Sequence, residues 1–179
     1  MNVIVSQMDM EHFAIIRRNV TDFIQRCAEI YDEEGKELLD IAPQDYEGAK
    51  AFFRKCHIHT LDINPSCKAD YLADICEKNE HIIPAGKFDF VLCTEVLEHV
   101  LNPFKAIDEI YRILACGGFL FISAPFNFRI HGPLPDCWRF TEHGLRELLK
   151  RFLIIHLLEV PTRNRDLMPI HYTAIAQKP

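Results

Sequence analysis

An α/β sandwich, with a mostly parallel sheet covered by helices on both faces, is the fold class predicted for this sequence, and three observations predict it. Short apolar segments alternate with amphipathic helical ones along the chain. The segment Phe119 to Ala124 is too apolar to have a wet face, as expected of a strand sandwiched between helices. Acidic residues recur where the strands should end, at Asp40, Asp62, Asp74 and Glu95, which is the edge at which open parallel sheets bind ligands. A chain of 179 residues fits one domain, and folding at that size buries roughly 70% of the unfolded surface.

The elements follow in order. From Met10 to Tyr31, apolar side chains at Phe13, Ile16, Val20, Phe23, Ile24, Cys27, Ile30 and Tyr31 repeat at the three-and-four spacing of a helix with one buried stripe. Gly35 follows its end, and Glu37 to Ala42 reads as a short strand. Tyr46 to Lys55 is expected to be a short helix, His57 to Ile63 a second strand, Tyr71 to Ile75 a third and Phe88 to Thr94 a fourth. The helix Pro103 to Leu114 has the clearest punctuation. Asn102 can cap it, Pro103 suits its first turn, and Gly117-Gly118 is expected to stop it. Phe119 to Ala124 is the fifth strand. An irregular stretch, NFRIHGPLPDCWRF, then precedes a helix that Thr141 can cap and that buries Leu145, Leu148, Leu149 and Phe152. Leu153 to Val160 and Ile170 to Gln177 are read as two closing strands, joined by PTRNRDLMP.

Composition narrows the function classes. Hydrophobic residues at 49% and charged residues at 26% describe an ordinary globular protein. No apolar run approaches the roughly 20 residues of a membrane span, and the opening residues lack a basic segment followed by an apolar one, so a cytoplasmic location without membrane contact is expected. Residues 1–125 hold 12 basic and 21 acidic residues, a balance of −9, whereas 126–179 hold 8 and 5, a balance of +3. That distribution disfavours nucleic acid as the main partner, because phosphate-backbone binding needs clustered Lys and Arg. The seven cysteines (27, 56, 67, 76, 93, 116 and 137) form no C-x-x-C pair, which signals neither a disulfide framework nor a zinc site. His57 and His59 share a strand face without a third ligand placed by the sequence, so no metal is expected. Neither a G-x-S-x-G elbow nor a P-loop lysine motif occurs.

The combination of strand-end acids with FDFVLCTEVLEHVLNPFKAIDEIYRILACGGFLFISAP, Phe88 to Pro125, resembles the class I S-adenosylmethionine-dependent methyltransferases, of the type 11 kind. The resemblance runs from about Leu38 to Leu149. PDCWRFTEHGL, Pro135 to Leu145, is similar to a segment that follows the fifth strand in a subgroup of these enzymes. The resemblance implies a Rossmann-like three-layer α/β/α sandwich whose seven-strand-type sheet ends in an antiparallel C-terminal hairpin. A single domain 1–179 is expected, with an N-terminal helical segment 1–35, a cofactor-binding core 36–125, and an acceptor loop with closing strands 126–179. S-adenosyl-L-methionine is the implied cofactor and S-adenosyl-L-homocysteine the product, with a small molecule as methyl acceptor.

Carried over by position, the resemblance implies that Asp40, Ala42, Pro43 and Tyr46 hold the amino-acid end of the cofactor. Asp62 with Ile63 would bind its ribose, Asp74 with Ile75 its adenine, and Thr94 and Glu95 would lie along it towards the reacting centre, with Glu98 or His99 supporting that turn. The first loop departs from the family pattern. It reads Ala42-Pro43-Gln44-Asp45-Tyr46-Glu47-Gly48, with one glycine where the family has several, and proline fixes φ and removes a donor. Methyl transfer from a sulfonium needs alignment and, for weak nucleophiles, proton removal. His131 is the candidate base, Asp136 its alternative or orienter, and Trp138 and Arg139 the candidate shapers of the acceptor pocket. The acceptor atom, oxygen or nitrogen, stays open. So do two other readings: a non-catalytic binding module that keeps the fold, and a nicotinamide-dependent oxidoreductase, which the missing G-x-G-x-x-G disfavours.

Overall fold

The computed structural model describes residues 4–43 and 48–179. Helix α1 spans Gln7–Tyr31 and begins three residues before its apolar stripe suggests, because Ser6 and Asp9 form a reciprocal capping box that satisfies the first free N–H groups. Ile16, Val20, Phe23, Ile24 and Cys27 are buried along it, whereas Phe13 and Ile30 are exposed.

The strands are β1 (Glu37–Ile41), β2 (His57–Asp62), β3 (Tyr71–Leu72), β4 (Phe88–Thr94), β5 (Leu114–Pro125), β6 (Leu153–Val160) and β7 (His171–Gln177). They form one seven-stranded sheet in the order β3-β2-β1-β4-β5-β7-β6. β1 to β5 pair in parallel, and β7 runs antiparallel between β5 and β6. The strand order therefore reverses between β1 and β4, where an open sheet leaves a crevice at its carboxyl edge.

Alternation along the strands sends Leu38, Phe90, Leu92 and Phe121 to one face, where α1 covers them. Leu39, Val91, Leu120 and Ile122 go to the other, covered by α2 (Pro103–Ile113) and α3 (Glu142–Leu148). Tyr31 at the end of α1 packs against Phe119 and Phe121, with ring centroids 4.7 and 5.1 Å apart. Within the segment where a helix was expected over Tyr46 to Lys55, the described residues form a single 3₁₀ turn, Gly48–Ala51. Among the described residues no crossover helix lies between β1 and β2, and α1 supplies the layer on that face.

Three boundaries differ from the sequence reading for identifiable reasons. β3 stops at Leu72 because the Asp74 carboxylate accepts from the Cys76 N–H and turns the chain. Helix α2 ends at Ile113, ahead of Gly117-Gly118, and those glycines lie inside β5. At Gly118 a Cβ would stand 2.8 Å from the Asp89 carbonyl, so glycine there admits the neighbouring backbone. Asn102 and Thr141 cap α2 and α3 through bonds from the Lys105 and Gly144 N–H groups. Among the described residues, no helix is long and apolar enough to cross a membrane.

Candidate functional site

The reversal between β1 and β4 is marked by two non-glycine residues in the left-handed region, Ala42 at φ +52° and Glu95 at φ +54°. Such a conformation costs roughly 1–2 kcal/mol per residue, and here it swings both chain segments away from the sheet just past the strands. Two contiguous crevices open at that edge, of about 290 and 370 Å³, and Ala42, Glu95, His99 and Pro133 line both.

The smaller crevice is walled by Asp62, Ile63, Asp74 and Ile75. Asp62 is buried. Its Oδ1 accepts from the Asn64 N–H at 2.8 Å, while its Oδ2 has no partner among the described residues. A buried carboxylate oxygen left without a donor is costly, so this one fits a ligand that brings hydroxyl donors, such as a ribose.

The larger crevice is walled by Asp40, Pro43 and Thr94 on the sheet side and by Phe13, Phe128 and His131 opposite. Asp40 is buried, and its Oδ2 accepts from the Ala49 N–H at 2.7 Å. Burial pushes its carboxyl up to about 7, against the pull of that N–H and of Lys50. Gly48 makes the approach possible, because a Cβ there would stand 2.2 Å from Asp40 Oδ2 and φ is +52°. Tyr46 lies outside the described residues.

Glu95 is held from behind. Its Oε1 accepts from the Ser123 hydroxyl at 2.8 Å and sits 2.6 Å from His171 Nε2, and His171 Nδ1 in turn meets the Asn19 amide at 2.8 Å. Burial opposes ionisation of Glu95, but His171 and Ser123 outweigh it and hold the carboxyl below its usual range. Glu98 lies one turn on and is fully buried. Burial and the neighbouring charge of Glu95 push its carboxyl well up.

The irregular loop after β5 closes over both crevices and is fastened at several points. The Cys137 and Trp138 N–H groups donate to the Glu98 carbonyl, and the Trp138 indole N–H donates to the Val100 carbonyl at 2.8 Å. Arg139 grips both oxygens of Asp136 and also the Phe128 and Arg129 carbonyls. Asp136 further accepts from the His131 N–H at 2.9 Å. Burial works against the Asp136 charge, yet Arg139 and His131 hold the carboxyl down to about 2. His131 is itself held below its ordinary value by burial, despite Asp136.

Thus Asp40, Ala42, Pro43, Asp62, Ile63, Asp74, Ile75, Thr94 and Glu95 stand on one or both crevice walls, and His131 faces the larger. Asp136, Trp138 and Arg139 stand behind that wall and fix the loop. Sequence reasoning missed His171 and Phe128, which no local pattern distinguishes from core residues. It also assigned Phe13 to the buried stripe, where its exposure beside Phe128 places it on the crevice rim instead.

A family model described as a methyltransferase domain matches residues 10–169. The ubiquinone biosynthesis O-methyltransferase of Psychrobacter cryohalolentis is 27% identical over 104 residues, which cover 52% of this chain and 40% of that protein. The match to this curated relative thus spans about two fifths of the relative's length. A solved S-adenosylmethionine-dependent methyltransferase from Methanosarcina mazei superposes with a TM-score of 0.62 at 21% identity, covering 84% of this chain and 95% of that one. The Haemonchus contortus phosphoethanolamine N-methyltransferase 2, solved with S-adenosyl-L-methionine, gives a TM-score of 0.65 at 15% identity over 90% of this chain and 52% of that one. At such identities the structural likeness establishes the fold. With the family match across most of its length, the chain belongs to the class I methyltransferase-domain family, whose cofactor is S-adenosyl-L-methionine.

Proposed function

We propose that this protein transfers a methyl group from S-adenosyl-L-methionine to a hydroxyl oxygen of a small-molecule acceptor. The observation that carries this reading is the buried, partnerless Oδ2 of Asp62 on the wall of one crevice, open to a second crevice that ends at His131. When bound, the cofactor supplies a methyl group already activated on a sulfonium, so the chain's own work is to bind, align and exclude water. Asp62 and Ile63 take the ribose, Asp74 and Ile75 frame the adenine, and Asp40 with the Ala42-Pro43 turn faces the amino-acid end. Thr94 and Glu95 line the way between.

The acceptor enters past the rims of Phe13 and Phe128, whose stacked rings have centroids 6.2 Å apart, and reaches the neutral imidazole of His131. Asp136 orients that imidazole from its Nδ1 side, at 3.1 Å. Oxygen is favoured over nitrogen by the named activity of the ubiquinone-pathway relatives, and because a lone pair waiting at His131 is of use to an acceptor that must lose a proton.

The test is incubation of the purified protein with methyl-labelled S-adenosyl-L-methionine and a panel of phenols, sugars and small amines, read by label transfer and mass spectrometry. Label on a hydroxyl acceptor, lost in Asp62→Asn, is the expected result. Label confined to amines would overturn the assignment of oxygen, and calorimetry showing no binding of S-adenosyl-L-homocysteine would overturn the reading as a whole.

A further inference from the structure

We propose that Glu98, His99 and His131 form a seat for a divalent first-row transition-metal cation at the acceptor end of the larger crevice. The carboxylate of Glu98 is fully buried, and neither of its oxygens has a hydrogen-bond partner among the described residues. Buried carboxylates are ordinarily met by several donors, and one with none lacks a partner that the fold has left room for. Two imidazole nitrogens stand near it. His99 Nε2 is 3.8 Å and His131 Nε2 3.9 Å from Glu98 Oε1, both beyond hydrogen-bond reach. The ligand atoms of the three residues all lie within 4.8 Å of one another.

What turns these nitrogens towards Glu98 is the loop behind them. His99 Nδ1 is 2.9 Å from the Pro135 carbonyl, and His131 Nδ1 lies beside the Arg129 carbonyl at 3.3 Å and Asp136 Oδ2 at 3.1 Å. Carbonyl oxygens only accept, so each Nδ1 carries the proton and each Nε2 presents a lone pair. A ring N–H fixed by a carbonyl or carboxylate, with the other nitrogen free and aimed at a common point, is how metal-binding histidines are held. Two imidazoles and one carboxylate on one side of a site suit zinc, iron(II), cobalt(II) or manganese(II) better than calcium or magnesium. Bonds of about 2.0–2.2 Å to such an ion require the three residues to close in by roughly half an ångström, a movement open to His131 on its irregular loop. The cation's charge would be met by Glu98 and by the nearby carboxylate of Glu95.

A cation held there would stand beside the crevice that His99 and His131 line. An acceptor hydroxyl bound there would be acidified by the ion, a role that rests on the reading of O-methyl transfer above, whereas the seat itself does not. With the His131 lone pair taken up by the cation, the ion replaces that imidazole in promoting deprotonation: the acceptor O–H bond breaks and its proton passes to solvent. The oxygen lone pair forms the bond to the methyl carbon as the carbon–sulfur bond breaks, and that bonding pair stays on sulfur as a neutral thioether.

The experiment is titration of the chelator-stripped full chain with cobalt(II), followed by its visible ligand-field bands and by calorimetry, with zinc(II) in parallel. One cation per chain is expected, with a rise in melting temperature. Glu98→Gln and His131→Gln should each lower cation affinity at least tenfold and abolish that rise. S-adenosyl-L-homocysteine binding, measured in chelator, should stay within about twofold in Glu98→Gln, because Glu98 does not line the cofactor crevice. Absence of cobalt binding, or binding equally tight in both variants, overturns the seat and leaves the methyltransferase reading intact. Cation binding lost in the variants in a protein that does not bind the nucleoside would have the opposite meaning. If Glu98→Gln fails to fold, His131→Gln on the surface loop decides alone.

Discussion

Asp40 is placed where its charge is costly without a ligand. Its folded-state value of about 7 lies above the ordinary 3.8, so folding favours the protonated acid. The stability this contributes is complete below about pH 4, declines as pH rises from there to about 7, and is absent above it. A shift of some three pH units corresponds to an upper bound on the order of 4 kcal/mol. Asp40→Asn should therefore make the cofactor-free protein more stable than wild type at pH 8, by about 1–4 kcal/mol, and no more stable at pH 4. Urea midpoints across that range test it, and a difference that does not vary with pH would sink the assignment. The neighbouring glycine makes a second prediction. Gly48→Ala puts a methyl group 2.2 Å from the Asp40 carboxylate at a φ of +52°, which should cost roughly 1–3 kcal/mol and weaken cofactor binding. Because the severest contact is with the Asp40 side chain, with Pro43 Cβ more distant at 3.3 Å, the same substitution made in an Asp40→Ala background should cost less, and thermal melts of the double-mutant cycle would show whether it does.

At the scale of elements, what could be read in advance was what depends on local pattern. The stripe of α1, the caps at Asn102 and Thr141 and the apolar run of β5 are each written in adjacent or periodic residues. Of the boundaries that moved, those of α1 and β3 rest on the side chains of Asp9 and Asp74 acting locally, whereas that of β5 depends on a contact distant in sequence. β5 extends back to Leu114 because that residue pairs with Phe88 across the sheet, which no property of Gly117-Gly118 announces. The strand-end acids were legible because topology brings strand ends together. Glu98, His99 and His131 were each legible as site candidates but not as one group, since their spacing matches no metal signature and only the loop's return places His131 beside the other two. That loop is held by the pairing of Arg139 with Asp136, whose side chain is wholly shielded. Arg139→Gln leaves that carboxylate short of donors at a cost of about 1–3 kcal/mol. It should raise the KM for acceptor several-fold while changing cofactor affinity little, and Arg139→Lys should recover only part of the loss, lacking the two-pronged geometry. Equal effects on cofactor and acceptor would mean that the loop closes the whole edge rather than one end of it.

Over the whole molecule, the sheet's carboxyl edge carries two crevices that share Ala42 and Glu95, with Asp62 in one and Asp40 and His131 in the other. A ligand that bridges both halves ties β2 and β3 to β1, β4 and the loop after β5, so its binding should appear as stabilisation of the entire fold. At a concentration 100 times its dissociation constant, a ligand specific for the native state adds about 2.7 kcal/mol. In a domain of this size that amounts to a rise of roughly 5–10 °C in Tm. S-adenosyl-L-methionine and S-adenosyl-L-homocysteine should both produce the rise, and a nicotinamide dinucleotide should not. Asp62→Asn separates binding from folding. The amide keeps an oxygen to accept from the Asn64 N–H but turns the partnerless Oδ2 into a donor, so in the proposed binding mode the ribose hydroxyls would lose their acceptor. Because the oxygen replaced makes no bond among the described residues, the cofactor-free variant should melt within about 2 °C of wild type, while its affinity for either nucleoside falls at least tenfold. A variant that instead melts much lower without ligand, yet still shows the full ligand-induced rise, would make Asp62 a structural acid and place the ribose elsewhere on the edge.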